Sequence, residues 1–551
     1  MAFIDLHAHS TASDGTYTPA QLVAYALEKG LSALALTDHD TVDGVAEALA
    51  AAKGTPIEII PGAEFSSSYY GRDIHIVCMF LNHQSPLLIQ RLSQARDGRE
   101  KRNEKMCALL KEHGIDISME ELREHFPNST ITRAHYKELM LKKGYVKSSE
   151  EAFERYIGDH APCYVPRDRM RPEEAIAIIR MAGGVPVLAH PMQYGYGSDR
   201  LEELVSLLKD AGLEGIEVFY STHTSREERL LLSLAEKYDL APSGGSDFHG
   251  SVKKNIDLGY GQGNLPVRDE YLAPLRKRRP VRCLFTDMDG TLFNDRKVIT
   301  PGNYTALSDF AAAGNHIVYS SGRSLDSMLD VLEEHRLRFP GSYISAYNGA
   351  LIYECESGRV LFERRVPMEI VRDIFSMAET LGVHCQTYSG DAILTLHDSP
   401  ELARYRHYIP RPAVIGEGMW KALTEDPCKV LAIQLDRAET VDRAMLLKEK
   451  VAEKYADCIE SVFSNPYYLE FFSKDAGKGN ALKALCSILN IPICDTIAAG
   501  DEENDLSMIL EAGIGCAVQN ATDKLRSKAD YVCRNTCNHD AIQEILISFA
   551  G

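Results

Sequence analysis

The chain has 551 residues, too many for one hydrophobic core and enough for three or four units of about 100 to 200 residues. With 45% hydrophobic and 25% charged residues it has ordinary globular composition, which leaves no room for a long disordered tract. Its formal net charge of −19 argues against a protein that grips nucleic acid over an extended basic face, since such binding needs clustered Lys and Arg; an anionic substrate could still be held by metal ions and a few arginines.

Thirteen cysteines occur without a CxxC pair, and Cys533 and Cys537 have no second cluster to complete a zinc site. They read as reduced thiols of a cytoplasmic protein. The start MAFIDLHAHS lacks a basic region followed by an apolar core, and no apolar stretch approaches about 18 residues, so neither a signal peptide nor a membrane partner is expected.

From residue 1 to about 270 short apolar runs alternate with amphipathic stretches. Ile4 to Leu6, Ala33 to Leu36, Ile57 to Ile60, Ile74 to Met79, Val185 to Leu188 and Gly215 to Phe219 read as buried strands; Pro19 to Lys29, Gly44 to Ala52, Pro172 to Met181 and Leu201 to Lys209 read as helices. Strict alternation implies a parallel sheet, open or closed into a barrel. Residues from about 85 to 166 depart from it, being helical and highly charged, and read as an insertion over one end of that sheet.

The run Arg276 to Pro280 precedes a new apolar strand, Val281 to Asp287, and marks the main boundary. Alternation then restarts at His316 to Ser320 and Ser342 to Ala346, and later at Thr496 to Ala499 and Gly515 to Val518. Between about 366 and 461 the pattern changes to short strands and a few helices around the only tryptophan, Trp420, so a core of 281–365 and 462–551 is expected to carry an inserted domain of 366–461. No repeat of fixed period is present.

Metal-ligating side chains sit at the strand ends of the first half: His7 and His9, Asp14, Asp38-His39-Asp40, Glu64, His75, His190, and Asp247 with His249. Loops after parallel strands meet at one face, so these residues converge despite their separation. His7 and His9, two apart on an extended strand, point to one side. Mixed imidazoles and carboxylates suit zinc, iron or manganese, and so many ligands could hold two or three ions.

The motifs HAHS at 7, TDHDT at 37, GAEFS at 62, His75, AHP at 189 and SDFH at 246 resemble the polymerase-and-histidinol-phosphatase (PHP) family of metal-dependent phosphoesterases. The resemblance implies a distorted seven-stranded β/α barrel with a trinuclear site: His7, His9, Glu64 and Asp247 on the first ion, Asp14, His39 and His249 on the second, and Glu64, His75 and His190 on the third. A water activated by the ions would attack phosphorus, with no protein nucleophile. Asp14 and the helical insertion look most like the branch that hydrolyses 3′,5′-bisphosphonucleotides and trims short RNA from the 5′ end. Arg133 and His135 are the candidate substrate-binding residues, since a guanidinium pairs naturally with phosphate. Weaker support comes from the basic run Arg96, Arg99, Lys101 and Arg102, which is as readily a solvated helix face, and from Glu217, Tyr220 and His223.

In the second half Asp287-Met288-Asp289-Gly290-Thr291 ends a strand and aims two carboxylates at a sheet edge. It is followed in order by Ser321-Gly322-Arg323, by Lys478 at the start of a helix, and by Gly500-Asp501 with Asn504-Asp505. This set resembles the haloacid-dehalogenase (HAD) phosphatase superfamily, a Rossmann-like fold; Asn348 and the inserted block further resemble its Cof-type branch with an α/β cap. The resemblance implies that Asp287 attacks phosphorus, that Asp289 acts as acid and then base, and that Ser321 and Lys478 hold the phosphoryl oxygens. Magnesium would bind Asp287, the Asp289 carbonyl and Asp501, with Asn504 or Asp505 in support. Arg323 and Asn348 are expected to orient substrate or cap.

A bifunctional phosphoester hydrolase is therefore expected, acting on small phosphorylated substrates, nucleotides or short oligonucleotides in its first half and on a small phosphomonoester in its second. Two alternatives stand beside it. The barrel could be a general or histidinol-phosphate-like phosphatase, or a nucleotide-sensing module that regulates its neighbour; the complete ligand sets and Asp289 argue against a sensor.

Overall fold

A computed structural model describes residues 2–126, 131–158, 161–165, 170–265, 267–437 and 439–550, without the side chains of residues 95–97, 99 and 465. The chain divides between Pro280 and Val281 into two compact units. Among the described residues no helix is long and apolar enough to cross a membrane.

The first unit is built on seven strands in sequential order, β1 (Phe3–Ala8), β2 (Leu31–Leu36), β3 (Glu58–Tyr69), β4 (Arg72–Met79), β5 (Val185–Leu188), β6 (Gly215–Tyr220) and β7 (Ala241–Gly245). A bridge from Ala8 to Phe248, just past β7, nearly closes the sheet into a barrel. The apolar runs are buried on both faces: along β2, Ala33 and Ala35 join one apolar cluster with Ile4, Leu6, Val77 and Val187, while Leu34 and Leu36 join another with the outer helices.

The barrel departs from a purely parallel reading. β4 is antiparallel to both β3 and β5, because the two-residue turn Tyr70-Gly71, with φ of 47° and 77°, folds β3 straight back on itself. β3 also extends far beyond Ile60, through the polar segment Ser66-Ser67-Ser68, which carries no apolar signal but pairs fully with β4. β7 was not among the expected strands, since Ala-Pro-Ser-Gly-Gly has poor strand propensity. A Cβ on Gly245 would lie 2.4 Å from the backbone nitrogen of His7, so glycine is what allows β7 to approach β1 beneath the histidines.

The charged insertion forms helices at Pro86–Glu112, Met119–His125, Arg133–Lys142 and Ser149–Ala152. Ser118 and Ser148 cap two of them by accepting from the amides of Glu121 and Glu151. The insertion has its own apolar core, including Met106, Leu110, Leu122, Tyr136 and Ile157.

The second unit has a sheet in the order β12-β11-β10-β9-β8-β19-β20-β21 and a six-stranded sheet in the order β15-β14-β13-β16-β18-β17. The first comprises β8 (Cys283–Asp287), β9 (His316–Ser320), β10 (Ser342–Ala346), β11 (Leu351–Glu354), β12 (Arg359–Glu363), β19 (Thr496–Gly500), β20 (Ile514–Ala517) and β21 (Tyr531–Val532), and is parallel from β10 through β21. The second comprises β13 (His384–Ser389), β14 (Ala392–Thr395), β15 (Ala413–Ile415), β16 (Lys429–Ile433), β17 (Ile459–Asn465) and β18 (Tyr468–Ser473). The hairpin β17–β18 runs past residue 461, because Ile459, Leu469 and Phe471 pack into the apolar cluster of this inserted domain.

Candidate active sites

Glu64, on β3 and 1% exposed, is the hub of the first site. Its Oε2 lies 3.0 Å from His39 Nδ1, 3.3 Å from His9 Nε2 and 3.4 Å from His7 Nε2. Its Oε1 lies 2.8 Å from His75 Nδ1 and 3.0 Å from His190 Nε2. Asp247 Oδ1 approaches His9 Nε2 at 3.2 Å and His249 Nδ1 at 3.3 Å, and Asp14 Oδ1 lies 3.3 Å from His249 Nε2. His75 joins from an antiparallel strand because its place in β4 pairs with Ser66, two residues beyond Glu64 on β3. All nine side chains expected as ligands thus come together, in overlapping groups whose ligand atoms lie within 4.8 Å of one another, such as His9 with Asp14, His39 and His249, or His7 with Glu64 and His190. His9 belongs to two groups, facing Asp14 with Nδ1 and Asp247 with Nε2.

The donor set fits divalent cations. His7 Nε2, both ring nitrogens of His9, and His39 Nδ1 are buried without a hydrogen bond, an arrangement that is costly unless something accepts those lone pairs. Burial opposes charge on His9, yet the nearby carboxylates of Asp247 and Glu64, 3.2 Å and 3.3 Å from its Nε2, push it up to about 9. Burial alone would raise Glu64, but the imidazoles around it, His39 and His75 foremost, hold it well below the usual carboxylate range.

Three residues brace this cluster from behind. Glu217 Oε1 lies 3.0 Å from His7 Nδ1 and its Oε2 accepts from His190 N at 2.6 Å. Tyr220 donates to Asp247 Oδ2 at 2.7 Å, and Lys253 pairs with the same oxygen. His190 and Asp247 themselves sit at φ of 26° and 57°, left-handed backbone that is strained for such residues and clusters at functional sites. Asp38 accepts from Ser10 and Ser13 and so shapes the loop that delivers Asp14; His223 bonds the carbonyl of Val218.

The cluster opens into a cavity of about 210 Å³ lined by Asp14, His39 and His75 and, from the insertion, by Arg102, Arg133 and Phe153. Arg133 stands over the Tyr164 and Phe153 rings, with Nη2 3.6 Å from Asp73. His135, expected beside it at the phosphate, instead turns back: its Nδ1 accepts from Thr132 N at 2.9 Å and its ring packs on Phe126. The third residue of a helix is placed to cap that helix, and this backbone bond takes the imidazole out of the cavity. The side chains of Arg96 and Arg99 lie outside the described residues.

In the second unit, Lys478, 1% exposed, starts a helix and places Nζ 2.6 Å from both Asp287 Oδ1 and Asp505 Oδ1. Asp287, Asp501 and Asp505 form a carboxylate group within 4.8 Å. Burial pushes Asp287 up to about 7 against the pull of the Lys478 ammonium, with repulsion from Asp505 adding to the rise, and burial with repulsion from Asp287 and Asp505 pushes Asp501 up to about 9. Three carboxylates around one ammonium leave an excess of negative charge that fits a divalent cation. A Cβ on Gly290 would fall 2.4 Å from Asp501 Oδ2, so glycine lets the loop after β8 close against that carboxylate. Asn504 bonds Asn348 at 3.2 Å and does not join the acidic group.

Asp289 is gripped by Arg323 through Nε at 2.9 Å and Nη2 at 2.8 Å, and by Lys297 at 2.7 Å. Though burial opposes it, these cations hold its carboxyl below the usual range. Asn348 donates to Glu470 Oε2 at 2.7 Å, and Glu470 pairs with buried Lys429 at 2.6 Å, tying the core to the inserted domain. Between them lies a cavity of about 320 Å³ lined by Asp287, Asp289, Ser321 and Arg323 on the core side and by Arg404, Tyr405 and Lys429 on the other.

The PHP domain family matches residues 5–158, and the haloacid dehalogenase-like hydrolase family matches residues 284–546. A 5′-3′ exoribonuclease of Haemophilus influenzae is 36% identical over 46% of this chain and 94% of its own length. The chain belongs to the PHP and haloacid dehalogenase-like hydrolase families. A 3′,5′-nucleoside bisphosphate phosphatase of Chromobacterium violaceum is 34% identical over 48% of this chain and 94% of its own length. The phosphatase YwpJ of Bacillus subtilis is 28% identical over 47% of this chain and 96% of its own length. Both the PHP and the HAD domain are phosphoester hydrolases of metal-dependent families.

Sequence reasoning missed Lys253 in the PHP domain and Lys297, Lys429 and Glu470 in the HAD domain. Lys253, four residues after His249, had a positional signal. Lys429 and Glu470 had none, since they meet only across paired strands β16 and β18.

Proposed function

We propose that the PHP domain removes the 3′-phosphate of 3′,5′-bisphosphonucleotides, or nucleotides from the 5′ end of short RNA, and that the HAD domain dephosphorylates a small phosphomonoester. The observation that carries the first reading is the set of buried, unbonded imidazole nitrogens around Glu64 opening into a cavity walled by Arg102 and Arg133. The names of two relatives of the PHP domain, a 5′-3′ exoribonuclease and a 3′,5′-nucleoside bisphosphate phosphatase, support it.

His7, His9, Glu64 and Asp247 would hold one ion, Asp14, His39 and His249 a second, and Glu64, His75 and His190 a third, the ions being manganese, iron or zinc. Such ions supply Lewis acidity toward the phosphoryl group and a more acidic water. Glu217 keeps the His7 ring turned so that Nε2 faces the cluster. Arg133 meets the substrate phosphate at the mouth, where a guanidinium offers paired donors. In the HAD domain Asp287 attacks phosphorus and becomes an aspartyl-phosphate while the leaving alcohol takes the proton of Asp289; Asp289 then takes a proton from the water that cleaves the acyl phosphate. Lys478 and Ser321 hold the phosphoryl oxygens, and Arg323 must exchange Asp289 for substrate before that acid can act. Magnesium would sit among Asp287, the Asp289 carbonyl, Asp501 and Asp505.

The test is a panel of 3′,5′-bisphosphonucleotide, 5′-phosphorylated short RNA and simple monoesters on the whole protein, with manganese and magnesium supplied in turn. Preference of the manganese-dependent activity for a simple monoester would overturn the nucleotide assignment.

A further inference from the structure

Strands β3 and β4 carry two members of the metal cluster, Glu64 and His75, and then run on beyond the barrel rim to a hairpin tip at Tyr69, Tyr70, Gly71 and Arg72. At about 3.3 Å per residue the tip lies roughly 20 Å along the strand from Glu64, farther than a mononucleotide held at the cluster would reach. Tyr70 is 80% exposed, with its ring set edge-on against Tyr69.

A second chain segment meets the hairpin there. Six residues past His190, Tyr196 donates its hydroxyl hydrogen to the carbonyl of Tyr69 at 3.3 Å. The guanidinium groups of Arg72 and Arg200 stand 5.9 Å and 5.7 Å from the centre of the Tyr196 ring. Both arginines are exposed, and among the described residues neither makes a hydrogen bond or ion pair with a carboxylate. In a chain of net charge −19, acids are abundant, so two arginines without a carboxylate partner on one tyrosine, which is itself bonded to the residue next to a bare aromatic ring, are a pointed combination.

Aromatic faces for bases and guanidinium groups for phosphates are what proteins use to hold single-stranded nucleic acid without reading its sequence. We infer that the patch of Tyr70, Arg72, Tyr196 and Arg200 holds nucleotides beyond the second in a single-stranded RNA whose 5′ end lies at the metal cluster. The inference rests on the nucleotide reading of the PHP domain and extends it, since it makes an oligonucleotide rather than a mononucleotide the substrate that uses the whole face. The unpaired positive charge and the rings together favour a polyanion with planar groups over a peptide. The patch is small, and its occupant is correspondingly short.

Two measurements on the full-length protein test this, using the double variant Tyr70→Ala/Arg200→Ala and the conservative Tyr70→Phe. The first is kcat/KM for a 5′-phosphorylated tetraribonucleotide divided by kcat/KM for adenosine 3′,5′-bisphosphate. The second is fluorescence anisotropy of a labelled 5′-phosphorylated hexaribonucleotide on chelator-treated protein, with a peptide of equal negative charge as competitor. In the double variant the ratio should fall, and Kd should rise, by at least about tenfold, the scale of a lost base contact, whereas Tyr70→Phe should stay close to wild type. A ratio and Kd unchanged in the double variant, no RNA binding by the wild type, or equal competition by the peptide would overturn the assignment. Wild-type protein that binds RNA through Tyr70 yet hydrolyses neither compound would leave the patch standing and remove the nucleotide reading of the PHP domain.

Discussion

Glu217→Gln should weaken metal binding in the PHP domain without unfolding it. Glu217 is 3% exposed and spends one oxygen on the backbone N–H of His190 and the other on His7 Nδ1. Glutamine has one acceptor where glutamate has two. Its carbonyl must face the His190 N–H, because an amide NH2 there would oppose donor to donor. The NH2 then points at His7 Nδ1 and donates to it, which drives the ring proton to Nε2, the atom 3.4 Å from Glu64 and 3.7 Å from Asp247. A protonated nitrogen is no ligand. Loss of such an outer partner costs about 10- to 100-fold in metal affinity, or about 1.4 to 2.8 kcal/mol. The assay is metal retained after dialysis against graded chelator, read by mass spectrometry, with thermal unfolding to show that the variant is folded. Retention within about twofold of wild type, well short of the loss expected from a missing partner, would refute the proposed orientation of His7.

Other substitutions should separate the two sites. His9→Ala should abolish PHP activity and leave HAD activity, and Asp287→Asn should do the reverse; either change removing both activities from folded protein would exclude independent sites. Lys478→Met should destabilise the second unit by about 3 to 5 kcal/mol, since it leaves Asp287 and Asp505 facing each other in a buried site, and calorimetry of the full chain should show that transition moving while the first stays. Arg133→Ala should raise KM for the bisphosphonucleotide by about tenfold or more, as expected for a lost charge-assisted hydrogen bond, with metal content unchanged; a kcat effect alone would place Arg133 elsewhere than on the bound phosphate.

Much of both sites was legible in short motifs, because ligand chemistry is a property of single side chains and strand ends are marked locally by apolar runs giving way to His, Asp or Gly. His7, His9, Asp14, His39, Glu64, His190, Asp247 and His249 could be named before any contact was known, as could Asp287, Lys478 and Asp501. His75 was named as well, although the reason first given, a parallel strand end, did not hold: a hairpin brings it to the same face from an antiparallel strand. His135 looked like a partner for phosphate, yet a backbone amide three residues earlier claims it.

The order of apolar and polar residues along the chain thus determined which elements form and which side chains are fit to ligate, since both depend on neighbours within a turn or a strand. Tertiary structure alone decided which way those side chains face and what lies behind them. Glu217 meets His7 from 210 residues away, Gly245 clears room for His7 across the closing strands, and Tyr196 reaches the carbonyl of Tyr69 only when two distant segments pack. Such pairings depend on contacts between distant segments, and the residues flanking each partner carry no trace of them.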